Sequence, residues 1–371
     1  MKRRDWFKLS AMAGGAMALN TLPSLANGSY FRHPLDDANE DLARLCYNEN
    51  PYGPSESARA AILESMKIAY QYPFAYIQEF QKTLAVKHNV SPEHIVICGG
   101  SVEGLRATGL AFCKPGGKLI SPDPTYLSMM QYVSKMGTKV VNVPAKADLS
   151  HDLEQMATAV DELTNLVFVC NPNNPTGTFI GAKRLISFLD EVSVKVPVFV
   201  DEAYFDYVDD PSYASMIDLV KKNYNIIVSR TFSKVYGLAG MRIGYLIAKP
   251  EIASLIRDRI QASANIPAIK AAEAALADTS FYAHSQQINR DGRKMIAEAC
   301  DQLGLEYVKP QTNFVFIKTN VDVNAFNERM RAKNVLVGRG FPPLTQWCRV
   351  STGKISDIER FIKVLPDALK V

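Results

Sequence analysis

The chain has no CxxC pair. Its six cysteines, Cys46, Cys98, Cys113, Cys170, Cys300 and Cys348, are scattered, which argues against a zinc site or a thioredoxin-type motif. Cys98 and Cys170 stand in the apolar runs IVIC and VFVC and read as buried free thiols. There is no long basic run, and a net charge of +4 over 371 residues is weak, so composition gives no reason to expect nucleic acid as a partner. No apolar run is long enough to span a bilayer as a mature helix. Neither an internal repeat nor a low-complexity linker is present, and no metal is expected. The remaining composition, 47% hydrophobic and 22% charged, is that of an ordinary globular protein. Its length suits a large domain with a smaller companion.

The first residues read as an address. Lys2, Arg3, Arg4, Trp6, Phe7 and Lys8 precede an uncharged stretch over 9–22, followed by the small-x-small pattern Ser24-Leu25-Ala26. A structured amphipathic helix would show a polar stripe where this stretch shows none. A basic segment, a short apolar segment and a processing site make a signal peptide over 1–26. The Arg3-Arg4 pair resembles a twin-arginine (Tat) signal. That route carries folded proteins and implies a periplasmic location, against the alternative of a cytoplasmic one.

From residue 95 onward, short β-rich runs alternate with helical patterns such as 182–192. The seven runs are 95–98, 118–120, 139–143, 166–170, 198–200, 226–229 and 245–248. Most are apolar throughout rather than alternating, as strands covered on both faces are. This predicts an α/β fold with a mostly parallel seven-stranded sheet, whose sites form at the carboxyl ends of the strands. Beyond about residue 265 a helix-prone segment over 268–303 precedes short strands at 314–317, 335–337 and 348–351. The predicted organisation is an arm over 27–70 that packs with the smaller domain or a neighbouring subunit, a large domain over 71–265 and a small α+β domain over 266–371.

Four motifs follow strand ends or one another: Asn171-Pro172-Asn173-Asn174-Pro175-Thr176-Gly177, Asp201-Glu202-Ala203-Tyr204, Ser229-Arg230-Thr231-Phe232-Ser233-Lys234, and Gly237 through Arg242 to Gly244. Taken singly, each has a plain explanation: a turn-rich loop, a helix-capping carboxylate, a surface lysine. Together they resemble the fold-type I aminotransferases, most closely the histidinol-phosphate aminotransferase family, from the YNENPYGP at Tyr47 to the CRVSTG ending at Gly353.

The resemblance implies pyridoxal 5′-phosphate as cofactor, with Lys234 as the amine that forms an imine with its aldehyde and later shuttles a proton. Asp201 would keep the pyridine nitrogen protonated, and Asn174 and Tyr204 would donate to the ring oxygen. Tyr126, in Pro122-Asp123-Pro124-Thr125-Tyr126, would stack on the ring. The phosphate would sit on the helix start at Gly100, Ser101 and Val102, with Ser233, Arg242 and Thr231 completing the cup. Tyr72 matches a tyrosine that the family brings in from a partner subunit, which implies a homodimer with shared active sites. Arg349 matches the arginine for the substrate's α-carboxylate, and Arg339 a second arginine facing its distal end. The chain departs from the family where Gly100-Ser101-Val102-Glu103 replaces Gly-Ala-Asp-Glu, and where Val350-Ser351-Thr352-Gly353 follows the arginine.

The expected reaction moves an amino group between an amino acid, or a related amine such as histidinol phosphate, and a 2-oxo acid. A decarboxylase or lyase of the same fold would keep the same lysine and aspartate. Of a different class, a cofactor-binding regulator would carry a DNA-binding domain ahead of this fold, where this sequence has a signal-like segment and a short arm.

Overall fold

The computed structural model describes residues 42–370. The signal-like segment 1–26 and the start of the arm lie outside them. The large sheet contains β2 (Ile95–Cys98), β3 (Lys118–Asp123), β4 (Lys139–Pro144), β5 (Thr164–Cys170), β6 (Val198–Asp201), β7 (Ile226–Thr231) and β8 (Gly244–Ala248), in the spatial order β2-β8-β7-β6-β5-β3-β4. β8 alone runs antiparallel to its neighbours β2 and β7; the other pairs are parallel. The seven expected strands are all present, several longer by one to three residues.

The continuous apolar character of these strands follows from their two covered faces. Val167, Val169, Val198, Val200, Ile226 and Val228 fall in one core. The intervening Leu166, Phe168, Phe199 and Ile227 fall in another. With a side-chain period of two, every position meets an apolar layer, and no solvent face calls for polar residues. α3 (Ser101–Phe112), α4 (Ser128–Lys135) and α8 (Pro250–Arg257) supply residues to the second core. α2 (Phe74–His88), α5 (Leu153–Thr158), α6 (Ala182–Val192) and α7 (Ile217–Lys221) supply the first.

The helical pattern over 268–303 is two helices, α9 (Ile266–Ala277) and α10 (Thr279–Gln302), not one. They part at Asp278, whose carboxylate accepts the backbone N–H of Phe281 and caps α10; an aspartate satisfies otherwise orphaned donors there. α9 places its alanines in the first core with Ala58 of α1 (Glu56–Ser65). A separate smaller core lies between α10, α11 (Val323–Arg331), α12 (Ile355–Ala368) and two small sheets. One of these is antiparallel, β9 (Tyr307–Val308), β10 (Phe314–Lys318) and β12 (Trp347–Ser351), with β10 central. In the other, β1 (Ala43–Leu45) pairs in parallel with β11 (Val335–Val337). Ala43 and Leu45 of the arm are therefore in the smaller core, and Ala58 in the larger one. All six cysteines are free and buried. Among the described residues no helix is long and apolar enough to cross a membrane, and no group of side chains could hold a metal.

Candidate active site

The register of the large sheet sets Cys170, Asp201 and Ser229 side by side at the carboxyl ends of β5, β6 and β7. Asp201 is 2% exposed. Its Oδ1 accepts the Ser229 hydroxyl at 2.8 Å and the Ala203 N–H at 3.2 Å, and among the described residues no cation pairs with it. Burial raises its pKa to about 6, against those two hydrogen bonds. A buried carboxylate with no counter-charge is unfavourable by itself and suits a cationic partner that arrives from outside the chain.

Lys234 stands on the loop after β7, with Nζ donating to the Asn48 carbonyl at 3.0 Å and 5.4 Å from the centre of the Tyr204 ring. Burial, and next the charge of Arg349, lower its pKa to about 8. A larger share of this amine is therefore unprotonated at neutral pH than for a solvated lysine.

A connected set of hydrogen bonds runs from the lysine to the arginine. The Tyr204 hydroxyl accepts from Asn48 Nδ2 at 2.9 Å and from Asn174 Nδ2 at 3.3 Å. Asn174 Oδ1 accepts Arg349 Nη1 at 2.6 Å, and Arg349 Nη2 donates to the Cys46 carbonyl at 2.9 Å. Arg349 lies near the rings of Phe314 and Phe341, its Nε is buried without a partner, and burial lowers its pKa. Among the described residues it has no carboxylate partner. Arg339 is exposed and lies over the Phe341 ring, at 4.4 Å from its centre, donating to the Gly340 carbonyl. One aromatic ring thus contacts both guanidinium groups.

The helix start is shaped for an anion. Ser101 and Val102 are the first two residues of α3, whose first-turn N–H groups have no partner within the helix. Gly100 has φ +80°, a conformation that favours glycine, and a Cβ there would stand 2.5 Å from Arg242 Nη2 and displace the guanidinium. Arg242, itself left-handed, donates to the carbonyls of Ala239 and Gly99. Thr231 and Ser233 share a hydroxyl bond at 3.0 Å. Glu103, from the departing Gly-Ser-Val-Glu, accepts the backbone N–H groups of Gly99, Gln261 and Ala262 and ties this turn to the loop after α8. Tyr126 is partly buried against the second core; burial and then the Asp201 charge raise its pKa.

Tyr72 is the exception. It is 82% exposed, stacks on Phe74, and among the described residues makes no hydrogen bond to this cluster. Conversely, Asn48 was given no role from sequence and lies at the centre. It holds a left-handed conformation, anchors Lys234 and Tyr204, and is itself held by Ser351 and Asn313. Its signal was the YNENPYGP motif, in which it is the first asparagine.

Unpaired Asp201, the perturbed amine of Lys234 and the glycine-gated cup beside Arg242 together fit a phosphorylated pyridine aldehyde. Residues 40–365 match the model of the family "Aminotransferase class I and II". The chain belongs to this family. It is a pyridoxal-phosphate-dependent aminotransferase. A histidinol-phosphate aminotransferase from Moorella thermoacetica is 37% identical over 333 residues, covering 89% of this chain and 86% of that one. Histidinol-phosphate aminotransferase 1 of Cupriavidus pinatubonensis is 36% identical over 342 residues, covering 91% and 90%. The crystal structure of histidinol-phosphate aminotransferase from Sinorhizobium meliloti with pyridoxal 5′-phosphate superposes with a TM-score of 0.84 at 26% identity, covering 95% of this aminotransferase and 98% of that chain.

Proposed function

We propose that this aminotransferase acts on amines bearing a carboxylate or phosphate, with Arg349 as the group that grips the α-carboxylate of an amino-acid substrate. The supporting observation is a buried guanidinium that has hydrogen-bonding carbonyls but, among the described residues, no carboxylate paired with it. An incoming carboxylate would relieve that unpaired charge, and a planar fork would fix its orientation. When bound, the cofactor supplies a sink for the electron pair left as a Cα proton departs. Lys234 would carry the cofactor and move that proton from the position held by the Asn48 carbonyl. Asp201 would serve the ring nitrogen, and Tyr204 with Asn174 the ring oxygen. Tyr126 would supply a flat partner for the ring, while Gly100, Ser101, Val102, Thr231, Ser233 and Arg242 would hold the phosphate. Arg339 meets the distal end of the substrate.

The names of the relatives make histidinol phosphate the first amine to test, followed by amino acids with and without phosphate groups. Loss of the cofactor's aldehyde absorbance on adding an amine, with a keto product, supports the reading; release of CO₂ in place of a keto product assigns a decarboxylase. Borohydride reduction followed by peptide mapping should place the cofactor on Lys234, and Lys234→Ala should bind it without covalent capture. Trapping on another lysine removes the assignment.

Two further features complete the reading. Tyr72 enters the site of a second copy, because it lies among exposed apolar side chains that water alone would leave unfavourably hydrated. Residues 1–26 direct the folded, loaded enzyme to the periplasm.

A further inference from the structure

Asn48 enters the active site from the arm, just beyond β1, and is 1% exposed. Its carbonyl accepts Lys234 Nζ at 3.0 Å and Asn313 Nδ2 at 2.8 Å. Its side chain meets a different partner, the Tyr204 hydroxyl. One residue of the arm therefore touches both the reactive amine and the phenol beside it.

The direction of each proton in this cluster follows from what its neighbours can accept. A guanidinium donates through every N–H and has no acceptor. Asn174 must therefore present its oxygen to Arg349, at 2.6 Å, and its amide nitrogen to Tyr204, at 3.3 Å. Ser351 fixes Asn48 in a similar way. The serine Oγ accepts the Asn48 backbone N–H at 2.9 Å. Among the described residues its own proton has one acceptor, Asn48 Oδ1 at 2.7 Å. The Asn48 amide nitrogen is left to donate to Tyr204 at 2.9 Å.

A hydroxyl accepts at most two hydrogen bonds and donates one. At Tyr204 the two asparagines supply both of the accepted bonds, and among the described residues nothing takes the proton. Burial raises the pKa of Tyr204, so that proton is retained at neutral pH. The tyrosine is 3% exposed, and a donor left over in so dry a place suits an acceptor that arrives from outside the chain. We propose that Asn48 is a positioning residue for amino transfer: held by Ser351, its amide occupies an accepting site of the Tyr204 hydroxyl and so reserves the tyrosine's proton for the cofactor's ring oxygen. This role rests on Tyr204 serving that oxygen. A carboxylate in place of the amide would accept the same proton and divert it, whereas an amide locked by the serine cannot.

The loaded enzyme without substrate provides the test, through the pH at which its cofactor absorbance changes. Negative charge on the ring oxygen holds a proton on the neighbouring lysine nitrogen, and a hydrogen bond donated to that oxygen weakens the hold. Loss of the donor should therefore raise this pH. Tyr204→Phe removes the donor outright and sets the scale, about one pH unit or more. Asn48→Gly keeps the left-handed backbone, at φ 56°, and the carbonyl that meets Lys234, and deletes only the amide. It should raise the transition by about half a unit to one unit, with borohydride capture on Lys234 kept. In a Tyr204→Phe background it should add nothing. An unchanged transition in Asn48→Gly, beside a raised one in Tyr204→Phe, overturns the role of Asn48 and leaves that of Tyr204. An unchanged transition in Tyr204→Phe overturns both. A shift of full size added by Asn48→Gly in the double variant means that Asn48 acts by another route, and it too overturns the proposal. Should Asn48→Gly fail to fold or load cofactor, Ser351→Ala frees the Asn48 amide to turn its oxygen toward Tyr204. That variant should raise the transition in the same direction, and a wild-type titration overturns the proposal.

Discussion

Asp201 and Arg349 form no ion pair among the described residues, and each leaves its own trace. Asp201 has a folded-state pKa near 6, above its ordinary 3.8. The folded protein therefore holds this proton more tightly than the unfolded chain. Without cofactor, the resulting stability is fully present below pH 4 and lost as pH rises through 6, a difference of up to about 3 kcal/mol at pH 7. Asp201→Asn should accordingly raise the melting temperature of the cofactor-free protein at pH 7, yet lower the amino-transfer rate about 10²- to 10⁴-fold. Calorimetric melts with and without cofactor check the first effect and single-turnover rates the second; a near-unchanged rate removes Asp201 from the mechanism. Arg349 and Arg339 should fail differently. Arg349→Ala should lower kcat/KM about 10- to 100-fold for every amino acid, donor or acceptor. Arg339→Ala should shift preference only among substrates with anionic distal groups. Equal losses on all substrates would refute this division.

At the scale of the element, the turn into α3 is the part most constrained by backbone shape. Gly100 lies at φ +80° against the Arg242 guanidinium. Gly244, the first residue of β8, is as tightly placed: a Cβ there would come within 3.0 Å of the Ser101 nitrogen and 2.9 Å of the Arg230 carbonyl. Strand and helix start can approach this closely only because both positions lack a side chain. Gly100→Ala should leave the sheet intact but displace Arg242 and strain the turn, by about 1–3 kcal/mol. Cofactor titration of the stripped protein should show Kd rising about 5- to 150-fold. A wild-type Kd would mean that the phosphate is held elsewhere.

For the whole molecule, the surface near Tyr72 matters most. Leu63, Met66, Tyr70, Tyr72 and Phe74 are between 60% and 85% exposed within twelve residues of chain. Such a patch is unusual on a monomer and typical of one that pairs with itself. Sedimentation should find a dimer, and Leu63→Asp should shift it toward monomer with loss of activity; a fully active monomer would refute the shared site. The proposed twin-arginine leader is tested separately. Replacing Arg3 and Arg4 together with lysine should hold the folded, cofactor-loaded enzyme in the cytoplasm, as read by fractionation, and unchanged partitioning would count against a twin-arginine signal.

By itself the sequence determined the sheet and named the candidate reactive groups. Strands buried on both faces must be apolar throughout, so runs such as IVIC and LVFVC mark themselves; Asp201 closes such a run, and Asn174 and Lys234 stand in the turns beyond others. Local chemistry also carried the break at Asp278, which the broad helical pattern over 268–303 concealed because an N-cap is a single residue. Tertiary structure decided everything that depends on pairing across long separations. Asn48 reaches Lys234, Tyr204 and Ser351 from 156 to 303 positions away, and no periodicity within the arm encodes those bonds. The register of β6 against β7 set Asp201 beside Ser229, and β12 carried Arg349 to Asn174, 175 positions away, because burial and charge are properties of neighbours and only folding supplies the neighbours.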